Sequence, residues 1–311
     1  MNTEQSGLNR LGERIAASQS RRKSFSPYIG AALFFAVSVF VCWRSVAKTF
    51  GLALSSDAYT YILLVLPISL SMIILSRKTL HSVMARGTRA GIAILAIAAV
   101  IALLVFFGPD SSLNADIRLS IIIFALVLWW CGTVALWFGT RALRIAAFPL
   151  CFLFFIIPLP QPVMQLMVSW LQYSSACAAH VLFAVLGIPT LQNGNLLTIP
   201  GLTVHVAEEC SSIRSSSILF LTTVELAYLL LRSTWHRIAV IVVSVPLSVA
   251  KNGLRIWSIA MLGTRVDPGY LTGRFHHQGG IIFFAIALLV IFGLLWWFRR
   301  SEDKSLINAP A

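Results

Sequence analysis

Nine predominantly apolar runs divide the chain, at about 28–46, 59–75, 90–107, 117–138, 145–157, 163–186, 211–231, 238–262 and 277–298. A bilayer core of about 30 Å takes roughly 17 to 25 helical residues to cross, so most of these runs are long enough, or nearly so, to span one. Only 11% of the 311 residues are charged and 58% are hydrophobic, against about a quarter charged in an ordinary soluble domain. A soluble globular fold is therefore excluded. Backbone polar groups in lipid must be satisfied internally, which favours helices for runs of this length. The expected fold is all-α: a polytopic integral membrane protein with about eight transmembrane helices, an interfacial helix and a short extracytoplasmic strand-like segment.

The net charge of +13 raises the question of nucleic acid, and the positions of the charges answer it. Cytoplasmic loops of membrane proteins carry the excess of Lys and Arg. Residues 1–27 read as a polar cytoplasmic segment with Arg10, Arg14, Arg21, Arg22 and Lys23 leading into an uncleaved first span. Arg299, Arg300 and Lys304 make the tail, 299–311, equally cytoplasmic in character. Both termini on one side require an even number of spans, so one of the nine runs should not cross. The run at 163–186 follows Pro158, Pro160 and Pro162 and mixes Gln165, Gln172 and His180 among its apolar residues, which suits an interfacial or re-entrant helix. Setting it aside places Arg77, Lys78, Arg86, Arg89, Arg141, Arg144, Arg232 and Arg237 inside as well. The outside loops hold only Arg44, Lys48, Arg118, Arg265 and Arg274. The basic excess is then topological, and no nucleic-acid partner is expected.

That threading puts Gly187–Cys210 on the extracytoplasmic side, with an alternation around Leu202–Glu208 that suggests a short strand or hairpin arm. The five cysteines are odd in number, and four of them lie in or beside apolar runs, so no disulfide framework is read. Cys210 alone has polar neighbours.

Ionisable groups within spans cost a few kcal/mol on insertion scales and mark functional sites by default. Three such places fall at one depth. In Glu208-Glu-Cys-Ser-Ser-Ile-Arg214 the thiol sits at a helix start, where the helix N-terminus and Arg214, four residues on, both favour thiolate. Lys251-Asn-Gly-Leu-Arg255 interrupts an apolar run, with Arg255 about 10 Å below the outer boundary at 1.5 Å per residue. Phe275-His-His-Gln-Gly-Gly280 opens the last span with imidazoles able to act as a base near neutral pH. A thiol, an imidazole and a guanidinium at one level suggest acyl transfer through a thioester. Each group also has a plainer reading: a structural thiol, a capping His pair, an Arg paired with Glu225 or with lipid phosphate.

At these residues the chain resembles the exosortase and archaeosortase family of polytopic membrane cysteine transpeptidases. The resemblance covers about 145–298. It is carried by Phe155-Ile-Ile-Pro-Leu-Pro160, Gly194-Asn195 before Ile199-Pro-Gly201, Val206-Ala-Glu-Glu-Cys-Ser-Ser-Ile-Arg-Ser215, Asn252-Gly-Leu-Arg255, and His276 with Gly280 and Phe283. It implies Cys210 as nucleophile, Arg255 as the essential arginine and His276 as proton-transfer partner, with His277, Arg214, Glu208 and Asn252 as alternative or supporting residues. His205, five residues before Cys210, is a further imidazole nearby in sequence. Histidine at the third position favours the bacterial exosortase branch. Glu209 and Ser212 depart from the small residue and the glycine usual in the family.

The resemblance further implies substrates that are membrane-anchored exported proteins with a C-terminal sorting signal: a motif such as Pro-Glu-Pro, one transmembrane helix and a basic tail. The implied location is the bacterial inner membrane with the active site facing the periplasm. Beside the resemblance, Arg214 or Lys251 is a candidate cation for the motif's acidic residue, with a structural role as the alternative for each. Partners are the lipid bilayer and exopolysaccharide biosynthesis machinery; no cofactor or metal is expected. The competing class is a non-enzymatic component of polysaccharide export, or a transporter. A transporter usually shows paired interrupted helices in two repeated halves, whereas the polar groups here are concentrated after residue 187. The domain organisation read from the sequence is one transmembrane domain, 28–298, whose catalytic half is about 145–298.

Overall fold

A computed structural model describes residues 27–82, 88–108, 114–206, 213–271 and 279–307. Over the described residues each apolar run is mainly helical. The helices are α1 (Pro27–Val41), α2 (Trp43–Ser55), α3 (Ile62–Leu75), α4 (Arg77–Ser82), α5 (Thr88–Phe107), α6 (Ala115–Ile145), α7 (Ala147–Phe152), α8 (Gln161–Val185), α9 (Ile213–Leu230), α10 (Thr234–Arg265) and α11 (Gly280–Ile307). Between α8 and α9 lie three short strands, β1 (Leu191–Asn193), β2 (Leu196–Ile199) and β3 (Leu202–His205). The protein is thus an all-α polytopic membrane protein with one small sheet.

Among the described residues six helices are long and apolar enough to cross a membrane, or up to eight spans if each of two bent pairs counts as one. The pairs are α1 with α2, and Ala147–Ile156 with α8. The run at 163–186 is therefore the second limb of a broken element whose first limb is the run at 145–157. The last helix runs on through Ile307, so residues 299–307 are helical, where the sequence read a tail from 299 onward.

The chain divides into two compact units, residues 1–47 with 69–154, and residues 48–68 with 155–311. Within the first, α6 is two helices in sequence. The backbone at Gly139 (φ 88°, ψ 169°) leaves the helical region, a conformation open to glycine and strained for other residues.

In the second unit, α9, α10 and α11 share a core of Leu219, Ala227, Leu231, Val240, Ala287, Ile291 and Leu295, all nearly inaccessible. Polar groups close one end of this core. Arg237 donates through Nε and Nη2 to the Leu231 carbonyl at 2.9 and 2.7 Å, satisfying an acceptor at the end of α9. Glu302 on α11 accepts from the backbone N–H of Arg232 at 2.8 Å and of Ser233 at 2.9 Å, just ahead of α10. A carboxylate at a helix N-terminus meets orphan donors and the positive end of the dipole.

Candidate functional site

The site begins with the sheet that follows α8. Strand β2 pairs antiparallel with both neighbours, Asn193 opposite Leu196 and Ile199 opposite Leu202. Two-residue turns, Gly194-Asn195 and Pro200-Gly201, join the strands, with φ of +60° at Gly194 and +83° at Gly201. The hairpin arm read around Leu202 is thus the third strand of a meander. Asn195 ties it down: its amide donates to Gln172 on α8 at 3.1 Å, and its carbonyl accepts from the Val206 N–H at 2.9 Å. Leu197, Ile199 and Val206 pack with Ala176, Ala179 and Phe183 of α8 and Ile256 and Ala260 of α10 in one buried cluster. His205 at the end of β3 is exposed.

Helix α10 crosses α8 at a point that only glycine permits. A Cβ built on Gly253 would lie 2.5 Å from the Ala178 Cβ and 3.0 Å from the Ala179 nitrogen. Small residues let helix backbones approach closely where no water drives them together. The close approach buries the neighbouring polar side chains: Lys251 is 6%, Asn252 0% and Arg255 8% exposed.

Those buried groups contact both flanking helices. Lys251 donates from Nζ to the Ser215 hydroxyl, in the first turn of α9. Arg255 faces the start of α11, where a Cβ built on Gly280 would lie 3.7 Å from the guanidinium carbon and 3.8 Å from Nη1. Lys251 and Arg255, four residues apart, share one face of α10. Arg214, by contrast, makes an exposed ion pair with Asp57 at 3.2 Å.

Cys210, Glu208, His276 and His277 lie outside the described residues, and so do Glu209 and Ser212. Their flanks are described. Val206, one residue before segment 207–212, is buried beside Ile256; Ser215, three residues after that segment, bonds Lys251; Gly280, four residues after His276, abuts Arg255. Val206 and Ser215, which flank the thiol segment, and Gly280, which follows the imidazole segment, therefore all meet one stretch of α10, Lys251–Ile256. A buried guanidinium keeps its charge and offers a planar array of donors, and donors fixed in a water-poor site stabilise developing negative charge strongly. Among the described residues no three His, Cys, Asp or Glu side chains converge closely enough to hold a metal ion.

The sequence reading placed the stretch Lys251–Arg255 at the level of the thiol and the imidazoles but missed the Lys251–Ser215 bond. The four-residue spacing of the two cations on either side of Gly253 is the signal that identifies this face.

Comparison with curated proteins and with solved structures yields no match. Comparison with protein families gives one: residues 43–293 match the transmembrane exosortases. That match begins in the N-terminal half and takes in every block from Phe155 to Phe283 on which the resemblance rests. The chain belongs to the transmembrane exosortase family.

Proposed function

We propose that the protein is a membrane cysteine transpeptidase that removes the C-terminal sorting signal of membrane-anchored exported proteins at the outer face of the bacterial inner membrane. Cys210 thiolate attacks the scissile carbonyl, forming a tetrahedral intermediate whose oxyanion Arg255 stabilises. His276, in its protonated form, gives its proton to the leaving amine as the C–N bond breaks. An amine or water then attacks the thioester and restores the thiolate. The observation that supports this reading best is the burial of Arg255 against the head of α11, four residues beyond His276 in sequence. An Arg held in this way is costly in a membrane, so its presence marks a functional site by default.

Substrate placement follows from the same reading. The substrate helix lies alongside the enzyme's own, which brings its motif to the level of Cys210. Of the two cations offered for the motif's acidic residue, Arg214 already pairs with Asp57, whereas Lys251 is buried and hydrogen-bonded to a neutral hydroxyl. Lys251 is assigned that role.

The test is co-expression with a tagged protein ending in Pro-Glu-Pro, a transmembrane helix and a basic tail, read by mass. Loss of the tail with the wild type and an intact substrate with Cys210→Ala is the expected pair of results. Tail loss in both would remove Cys210 as nucleophile, and an intact substrate in both would remove this sorting motif or the peptidase reading itself, which a search for a trapped thioester tells apart.

A further inference from the structure

The first unit contains a cavity of about 830 Å³, within the range of about 300–1,000 Å³ usual for small-molecule sites. Its wall is almost wholly apolar. Tyr28 of α1, Ile74 of α3, Val134, Phe138 and Ala142 of α6 and Leu150 of α7 contribute to it. Arg77 and Lys78, consecutive at the start of α4, are the charged residues of the lining, and no carboxylate accompanies them. Both are exposed, and neither belongs to an ion pair among the described residues.

A second feature coincides with this cavity. Val134, Phe138, Ala142 and Ala146 line it at four-residue intervals, and the non-helical Gly139 falls in the middle of that row. Irregular backbone at membrane depth is tolerated where it is buried in protein, as Gly139 is, and a sharp kink in a helix calls for a local cause. The helix therefore breaks at the wall of the cavity, on a residue type that accepts the geometry.

An apolar chamber with a cationic rim is complementary to an amphiphile whose head is anionic. Basic pockets between transmembrane helices on the cytoplasmic side bind acidic lipid head groups, and the positions of Arg77, Lys78, Arg141 and Arg144 assign this end of the unit to the cytoplasm by the same charge rule. We infer that this cavity is a binding site for an anionic phospholipid, one acyl chain lying along Phe138 and Ala142 and the phosphate meeting Arg77 and Lys78. Arginine binds phosphate as a planar fork and lysine as a point charge. The site is separate from the cysteine chemistry proposed above and stands whether or not that chemistry is correct.

Native mass spectrometry of the full-length protein in mild detergent tests it, with phosphatidylglycerol, phosphatidylcholine of matched chains, or inorganic phosphate added. Wild type should keep one phosphatidylglycerol through delipidation at least about tenfold better than phosphatidylcholine. The Arg77→Gln/Lys78→Gln double variant should lose that preference while still binding either lipid weakly. Ile74→Trp, at a half-exposed position on the wall, should lower retention of both lipids by filling the chamber. Equal retention of the two lipids by wild type would overturn the inference. So would a preference unchanged in the double variant, or protection by inorganic phosphate equal to that by phosphatidylglycerol. Thermal unfolding of each variant in the same detergent confirms that a lost adduct is not a lost fold.

Discussion

The guanidinium of Arg255 lies against the backbone of Gly280, so close that a Cβ added there would sit 3.7 Å from its central carbon. That distance is ordinary van der Waals contact, so a methyl fits and a longer side chain enters the space of the guanidinium. Gly280→Ala should keep most sorting-signal processing, and Gly280→Leu should reduce it at least about tenfold. Arg255→Lys keeps the charge and loses the fork; its expected loss is at least about a hundredfold, the scale of one missing oxyanion donor. The check is the mass-shift assay with membrane levels of each variant measured alongside. Full processing by Gly280→Leu would show that this contact does not position Arg255.

Gly253 sets the distance between α10 and α8. Adding a methyl would bring two Cβ atoms to 2.5 Å, an overlap that forces a backbone shift. Overpacking of this kind costs about 1–3 kcal/mol, so Gly253→Ala should lower the unfolding temperature in detergent. Ala178→Gly removes the atom it strikes. The double variant should recover part of the loss, a coupling expected of residues in direct contact. Independent, additive effects would mean that the helices adjust elsewhere.

These two contacts show where sequence reading stops. The depth of Arg255 follows from its place in an apolar run, and the strand arm from the alternation around Leu202–Glu208, because periodicity is local. The apolar run ending at 138 even marks the kink at Gly139, although the short helical stretch beyond it, with Arg141 and Arg144, carries too little apolar surface to read as a span. The register between helices is not local. Whether Lys251 meets Ser215, or Arg255 meets Gly280, depends on how α9, α10 and α11 slide past one another, and interdigitating side chains decide that. Glu302 is the clearest case: it falls in the stretch 299–311 read as a cytoplasmic tail, yet it is 8% exposed and bonds a loop about seventy residues earlier.

Lys251 has no carboxylate partner among the described residues, which is the basis for giving it the acidic residue of the substrate motif. A double-mutant cycle across enzyme and substrate isolates that contact. Lys251→Met should slow processing of a Pro-Glu-Pro substrate by about tenfold or more and leave a Pro-Gln-Pro substrate, already slow, almost unchanged. Arg214→Gln should act alike on both substrates and weakly, since an exposed pair such as Arg214–Asp57 contributes at most about 1 kcal/mol. Equal slowing of both substrates by Lys251→Met would make the lysine structural. Ser215→Ala distinguishes that alternative further, because it leaves a buried ammonium short of an acceptor, at a cost of about 1–3 kcal/mol.

Glu302 tests whether the closed end of the three-helix core matters to the chemistry. Its two oxygens take three hydrogen-bond contacts, from the N–H of Arg232, the N–H of Ser233 and the His236 ring, where Nδ1 lies 2.7 Å from Oε1. Glu302→Ala orphans two backbone donors at the start of α10, so a loss of about 1–3 kcal/mol is expected. Glu302→Gln retains one carbonyl acceptor but presents an amide to the other donor, so it should recover only part of that loss. His236→Ala removes the bond to Glu302 and the stacking of the ring on Phe298, 4.6 Å between centroids, but leaves both backbone bonds in place, and should cost less than Glu302→Ala. Thermal unfolding in detergent ranks the three. Because α10 also carries Lys251 and Arg255, about five turns beyond its start, processing below the melting temperature should stay near the wild-type rate if the helix moves as a rigid body only on unfolding. A Glu302→Ala protein that melts normally but fails to process would mean that the anchoring of α10 is felt along its whole length, at Arg255.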